Sequence, residues 1–247
     1  MSSDHGGAMA GVFDLGTAWM VQRLSSDEER KKEINKSLVD DLIGVSDGAS
    51  DAVLSDSVDL ARGAFFRSFL DLKSGLLRMQ QAEYLFRRYP WHGTRISKSD
   101  HLYFVACAYL QEVYIVRCRL DQTLKLMNRC GKRHFSTQSI ESEIHAIIRK
   151  YDKVMEPLSS LRGLHVHRSD FSDRNLSRVR MLELFEDAEW LPERNNLYTD
   201  SVREVRKVWM KRVKRDKVVL DAFMESVFER YSSIWSVIFS DKHLASV

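Results

Sequence analysis

The sequence predicts an all-α protein, an up-and-down four-helix bundle with an extra N-terminal arm and a short helix before the last long one. Three observations predict it. Only 3 prolines and 11 glycines interrupt 247 residues, and Leu, Arg, Lys, Glu and Met, all good helix formers, are abundant. Apolar residues recur at steps of three and four over long stretches, the spacing of one helix face. No pair of alternating segments suggests strands, and no repeat of about 30 to 45 residues is strong enough to argue for a solenoid. Helices of about 30 to 40 residues joined by short connections pack as antiparallel neighbours, each about 45 to 60 Å long at 1.5 Å per residue.

Residues 1–53 are rich in Ser, Asp and Gly at both ends and read as a partly flexible N-terminal arm, with a charged helical stretch from Ser26 to Ile43. Residues 54–247 form the helical domain. Its first long helix starts near Asp56, carries Phe65, Phe66, Phe69, Leu76 and Phe86 at helical spacings, and stops at Tyr89-Pro90. Ser97 and Ser99 are cap candidates for the second, which is apolar on most sides from Leu102 to about Met127, as a central helix is, and ends at Gly131. The third opens near Thr137 to Ser139, with Glu141 and Glu143 in its first turn, where negative charge suits the helix dipole. Its seam is Ile140, Ile144, Ile147, Tyr151, Val154, Leu158 and Leu161, and Pro157 kinks or restarts it. A short helix follows around Leu176 to Phe185. Ser201-Val-Arg-Glu204 then reads as a capping box opening a last helix toward Phe239.

Whole-chain properties exclude several function classes. The formal charge is only +3, so global charge does not by itself call for nucleic acid. Cys107, Cys118 and Cys130 are odd in number and lack CxxC spacing, which fits neither a disulfide framework nor a zinc site; free thiols in a reducing cytoplasm are expected. No cofactor motif is present. The longest apolar run, Leu102 to Leu110, is far short of the roughly 20 residues a membrane span needs.

The chemistry-bearing stretch is Glu156 to Phe171, where the third helix's seam runs out into Arg162, His165 and His167. A histidine titrates near neutral pH and can move a proton, while a guanidinium presents a planar fork of donors to phosphate oxygens. His165 continues the apolar rhythm and reads first as a packed histidine. His165 and His167 face different sides of a helix and lack a third ligand, so no metal site is expected. Arg162 and His167 can also cap the helix or pair with Asp170 and Asp173. Glu112, polar in an apolar helix, is a candidate partner for the arginine, with an intrahelical pair as the simpler reading.

This Arg-x4-His spacing, at the end of the third helix of a helical bundle, resembles the HEPN superfamily, whose members are four-helix bundles, often dimeric, and in many cases metal-independent ribonucleases. The resemblance implies that Arg162 stabilises charge on a phosphate in flight while His167 handles the proton of a ribose 2′-hydroxyl or of the leaving oxygen. It also implies a homodimer and a defence or toxin-antitoxin setting; without catalysis, the same fold would serve as a dimerisation or protein-interaction module. Three other pairs have a similar spacing, Arg87–His92, Arg95–His101 and Arg129–His134, and the last is a rival because it too lies at a helix end. In an unbroken helix, residues five apart are separated by about 140°. Convergence of Arg162 and His167 therefore requires the helix to loosen at Gly163 or a second subunit to complete the site.

The last helix carries eight cations, Arg203, Arg206, Lys207, Lys211, Arg212, Lys214, Arg215 and Lys217, against Glu204 and Asp216 within fifteen residues. Such a block can track an RNA backbone, with Arg203, Arg206, Lys207, Lys211 and Lys214 as the contacts, or can be a solvated outer face. Asp216 interrupts the apolar pattern, which predicts a buried arginine partner.

Overall fold

A computed structural model of the chain describes residues 7–25, 57–88, 96–158, 160, 173–185 and 192–240. Among these there is no strand; a short helical stretch covers 156–158, and seven further helices are bounded within the described residues. They are α1 (Ala8–Ser25), α2 (Ser57–Arg87), α3 (Lys98–His134), α4 (Glu141–Val154), α5 (Arg174–Leu184), α6 (Arg194–Arg230) and α7 (Ser232–Phe239). The chain divides into two compact units, one of residues 1–71, 120–147 and 223–247, the other of 72–119 and 148–222.

In the first unit, the start of the chain is packed. Val12 and Trp19 of α1 lie seven residues apart on one helix face and are both buried. Gly16 lets α1 approach α2: a Cβ there would come within 2.3 Å of the Phe66 ring. The Phe239 ring of α7 meets Trp19, Phe65 and Phe66 at centroid distances of 6.1, 5.6 and 5.9 Å, within the range at which aromatic pairs attract. Residues 26–56, which hold the charged stretch Ser26 to Ile43, lie outside the described residues.

Gly131 does not end α3. The helix runs on to His134, and its turn-off is made by Ser136, whose backbone is left-handed (φ 50), while the Thr137 amide returns to the Gly131 carbonyl at 3.2 Å. Gly131 is there for space, since a Cβ would sit 2.5 Å from Thr137 Oγ1 and 2.9 Å from Ile234. The Asn128 carboxamide oxygen accepts the Ile140 amide at 2.9 Å, tying the entry of α4 back to α3. Deeper in, the Ser68 and Thr123 hydroxyls are 2.9 Å apart, and Asp59 and Arg62 form a buried pair at 3.6 Å with the Arg62 guanidinium 5.1 Å from the Phe135 ring. Burial pushes the Cys130 thiol up to about 11, so it is an inert thiol at neutral pH. Neither Cys107 nor Cys118 is part of a disulfide.

The second unit is built from the C-terminal part of α2, the N-terminal part of α3, the end of α4, α5 and α6 up to Ala222. Its centre is aromatic. Trp209 is fully buried, stacks on Phe86 at 5.4 Å and meets Tyr109 edge-on at 6.4 Å. Tyr151 is also buried and donates to the Val113 carbonyl at 2.8 Å, and burial raises its phenol well above the usual range. The expected seam holds at Ile140, Ile144, Tyr151 and Leu158, all buried, while at two positions the following residue takes the place: Ile148 and Met155 are buried, whereas Ile147 and Val154 are half-buried. The break expected at Pro157 occurs, with a turn at Met155 and a short i to i−3 bond from the Leu158 amide to the Met155 carbonyl at 3.0 Å.

Two helix starts differ from expectation. Asp173 caps α5, its carboxylate accepting the Asn175 and Leu176 amides at 2.8 and 3.2 Å. The last long helix opens at Arg194, so Ser201 is a buried mid-helix residue and no capping box. That helix also stops at Arg230 and restarts at Ser232 instead of running unbroken to Phe239.

Candidate nucleic-acid interface

The cationic block of α6 sorts into inward and outward groups by helical phase. Val202, Val205, Trp209, Val213 and Leu220 are buried, which turns Arg203, Lys207, Lys211 and Lys214 outward, and all four are exposed. At steps of four, four and three they form one row, neighbours being about 6 Å apart along the axis. Arg203 is paired with Asp200 at 2.8 Å and Lys214 approaches Glu83 at 3.5 Å. Lys207 and Lys211 have no partner among the described residues. Of the remaining cations, Arg212 lies over the Trp209 ring at 4.6 Å, and Lys217 is exposed.

Asp216 is buried, but its partner is not a buried arginine. It accepts from the Tyr109 hydroxyl at 2.9 Å and from its neighbour Arg215 at 2.7 Å, whose side chain is 62% exposed. Burial together with this carboxylate raises the Tyr109 phenol far above its ordinary value. Glu112 makes no intrahelical pair. It accepts from Arg78 Nε of α2 at 2.8 Å, so its charge is already neutralised.

Arg206 turns from the row toward α2 and α3. Its Nε donates to the Phe86 carbonyl at 2.7 Å, and with Lys98, His101, Phe86, Leu102 and Val202 it lines a cleft of about 60 Å³. His101 Nε2 lies 3.0 Å from the Leu85 carbonyl; a carbonyl can only accept, so that nitrogen carries the hydrogen. Lys98 Nζ sits 5.3 Å from the Tyr198 ring centre. Two amides at the start of α3 are already satisfied: Ser97 Oγ accepts Asp100 N at 3.0 Å, and Glu183 accepts Ser99 N at 3.1 Å. Lys98 and His101 went unrecognised as site residues in the sequence. Their i, i+3 spacing puts them on one helix face, but their approach to Arg206 is tertiary.

Glu183 is the anchor of this end of the unit, accepting also from the Ser99 and Tyr198 hydroxyls, the latter at 2.8 Å. Burial alone would raise its carboxyl; the donated hydrogen bonds outweigh it and hold the group below the ordinary 4.5. A lowered folded-state value adds stability above the unfolded value that is lost as pH falls through the folded one. Glu183→Gln is therefore expected to lower the urea midpoint at neutral pH and to flatten its decline below about pH 4.5. An unchanged acid-side slope would show that the carboxylate is not what responds.

Arg162, His165 and His167 lie outside the described residues, as do His92 and Arg95 of two competing pairs. The rival Arg129 and His134 are described. Both belong to unbroken α3, which leaves them about 140° apart, Arg129 exposed and His134 half-buried. No group of three or more His, Cys, Asp or Glu among the described residues could hold a metal ion, and none of the described helices is long and apolar enough to cross a membrane. No protein-family model, curated protein or solved structure matches the chain.

Proposed function

We propose that this chain is a HEPN-like RNA-binding protein, a four-helix bundle working as a homodimer, whose metal-independent endoribonuclease site is Arg162 and His167. The observation that carries the RNA reading is the exposed row Arg203, Lys207, Lys211 and Lys214 on α6. Two of these charges have no carboxylate partner among the described residues, which is how a surface is prepared for phosphates. The support for catalysis is the Arg-x4-His spacing. In that chemistry the ribose 2′-oxygen attacks the adjacent phosphorus and the bond to the 5′-oxygen breaks. His167 takes the 2′-hydroxyl proton, Arg162 neutralises the phosphorane charge, and the leaving oxygen is protonated from solvent.

The test of the interface is equilibrium binding of a single-stranded RNA over a range of salt. Lys207→Gln with Lys211→Gln weakens binding for all sequences alike and lowers the salt slope by roughly 1.4, about 0.7 for each phosphate that is no longer neutralised. An unchanged slope would show that the row is only a solvated face.

A further inference from the structure

We propose that the cleft between Lys98, His101 and Arg206 is an oxyanion site that seats a terminal phosphate of an RNA strand lying along α6. The substrates of the proposed ribonuclease would then be strands that already carry a phosphomonoester end. The inference rests on the RNA reading above for its ligand but on separate residues for its site.

Three features of the cleft lead to it. Its described lining brings two permanent cations and a histidine from α3 and α6 around one small space. The volume of about 60 Å³ has room for about four water-sized groups at roughly 10 to 15 Å³ each, which suits a tetrahedral oxyanion and not a nucleotide. Phe86, Leu102 and Val202 supply the rest of the wall, and apolar surroundings strengthen the attraction between the cations and a bound anion.

A terminal phosphate suits this geometry better than a phosphate within the strand. A monoester carries about 1.5 to 2 negative charges near neutral pH, against one on a diester, and it has three oxygens free to meet donors from different directions. The Ser99 and Asp100 amides are already taken by Glu183 and Ser97, so the ligand is held chiefly by side chains. Arg206 is fixed by its bond to the Phe86 carbonyl, which leaves its guanidinium positioned before any ligand arrives. It lies three residues from Arg203 and next to Lys207, so a strand anchored at its end would continue onto the exposed row.

The experiment uses the full chain and one internally labelled RNA with a 5′-phosphate, a 3′-phosphate or hydroxyl ends, at fixed salt. One phosphorylated form is expected to bind about tenfold more tightly than the hydroxyl-ended strand, the size of one charge-assisted hydrogen bond. Arg206→Gln and Lys98→Gln erase that difference, whereas Lys207→Gln weakens all three strands equally. Lys98→Gln is the variant to rely on if Arg206→Gln fails to fold, because Lys98 is exposed. Equal affinity for the three ends, or a preference that survives both substitutions, overturns the proposal. Inorganic phosphate alone, read as a rise in Tm, separates the sources. A rise that needs Lys98 and Arg206, in a protein that binds no RNA, keeps the oxyanion site and removes the RNA reading. Such a rise with equal affinity for all RNA ends assigns the cleft to free phosphate and removes the strand-end role. RNA binding with no end preference and no response to phosphate removes the cleft and keeps the row.

Discussion

His167→Ala is expected to abolish RNA cleavage in the presence of a chelator, a loss of about 10² to 10⁴-fold for a general base or acid, with RNA affinity almost unchanged. Binding and catalysis separate because the cationic row belongs to α6 and the proposed proton carrier does not. The control is His134→Ala. His134 closes the rival Arg-x4-His spacing, but α3 continues without a break to that residue, leaving Arg129 about 140° around the axis from it. His134→Ala therefore cleaves like the parent. Loss of activity in His134→Ala alone would transfer the site to α3, and would require a second subunit to bring an arginine to that histidine. A folded parent chain that cleaves nothing in chelator, yet binds RNA through Lys207 and Lys211, would leave the non-catalytic module as the surviving reading.

How far the sequence could be read depended on whether a feature was local. The long helices α2 and α3, the α5 segment and the break at Pro157 are local, set by periodicity, by Tyr89-Pro90 and by proline's missing donor, and they were legible. Gly131 was not. As a sequence signal it means a helix end, but here it is a place where Thr137 and Ile234 come too close for a side chain. Ser201-x-x-Glu204 has the composition of a capping box, but composition cannot reveal that Arg194 to Asp200 are already helical. In α1, Gly11 and Gly16 lower helix propensity, and no local signal says that those glycines are what let the helix sit against Trp235 and Phe66. The charge run of α6 was visible, while its division into an outward row, an inward Arg212 and a cleft-lining Arg206 required knowing which side Trp209 faces. Asp216 shows the same limit. Its need for a partner was readable, but the answer, Tyr109 more than a hundred residues away, was not.

Trp209→Ala is expected to cost about 3 to 5 kcal/mol of unfolding free energy, the range for removing a fully buried aromatic side chain. Trp209 is 0% exposed and touches the structure on three sides: its ring stacks on Phe86, receives the edge of Tyr109 and supports the Arg212 guanidinium. A typical domain is stable by only about 5 to 15 kcal/mol, so the alanine variant sits close to unfolding at ordinary temperature. The measurement is urea denaturation of the purified variants, with the midpoint falling and the slope unchanged. Trp209→Phe keeps a ring against Phe86 and should lose about half as much, since a smaller aromatic leaves a smaller cavity. That conservative variant also links the core to the proposed phosphate cleft. Phe86 lines the cleft and its carbonyl holds Arg206, so a loosened Phe86 ring lets the guanidinium move. Trp209→Phe should therefore weaken discrimination between phosphorylated and hydroxyl-ended RNA while leaving the salt slope set by Lys207 and Lys211 intact. Full discrimination in a measurably destabilised Trp209→Phe protein would mean that Arg206 is positioned without help from the aromatic stack.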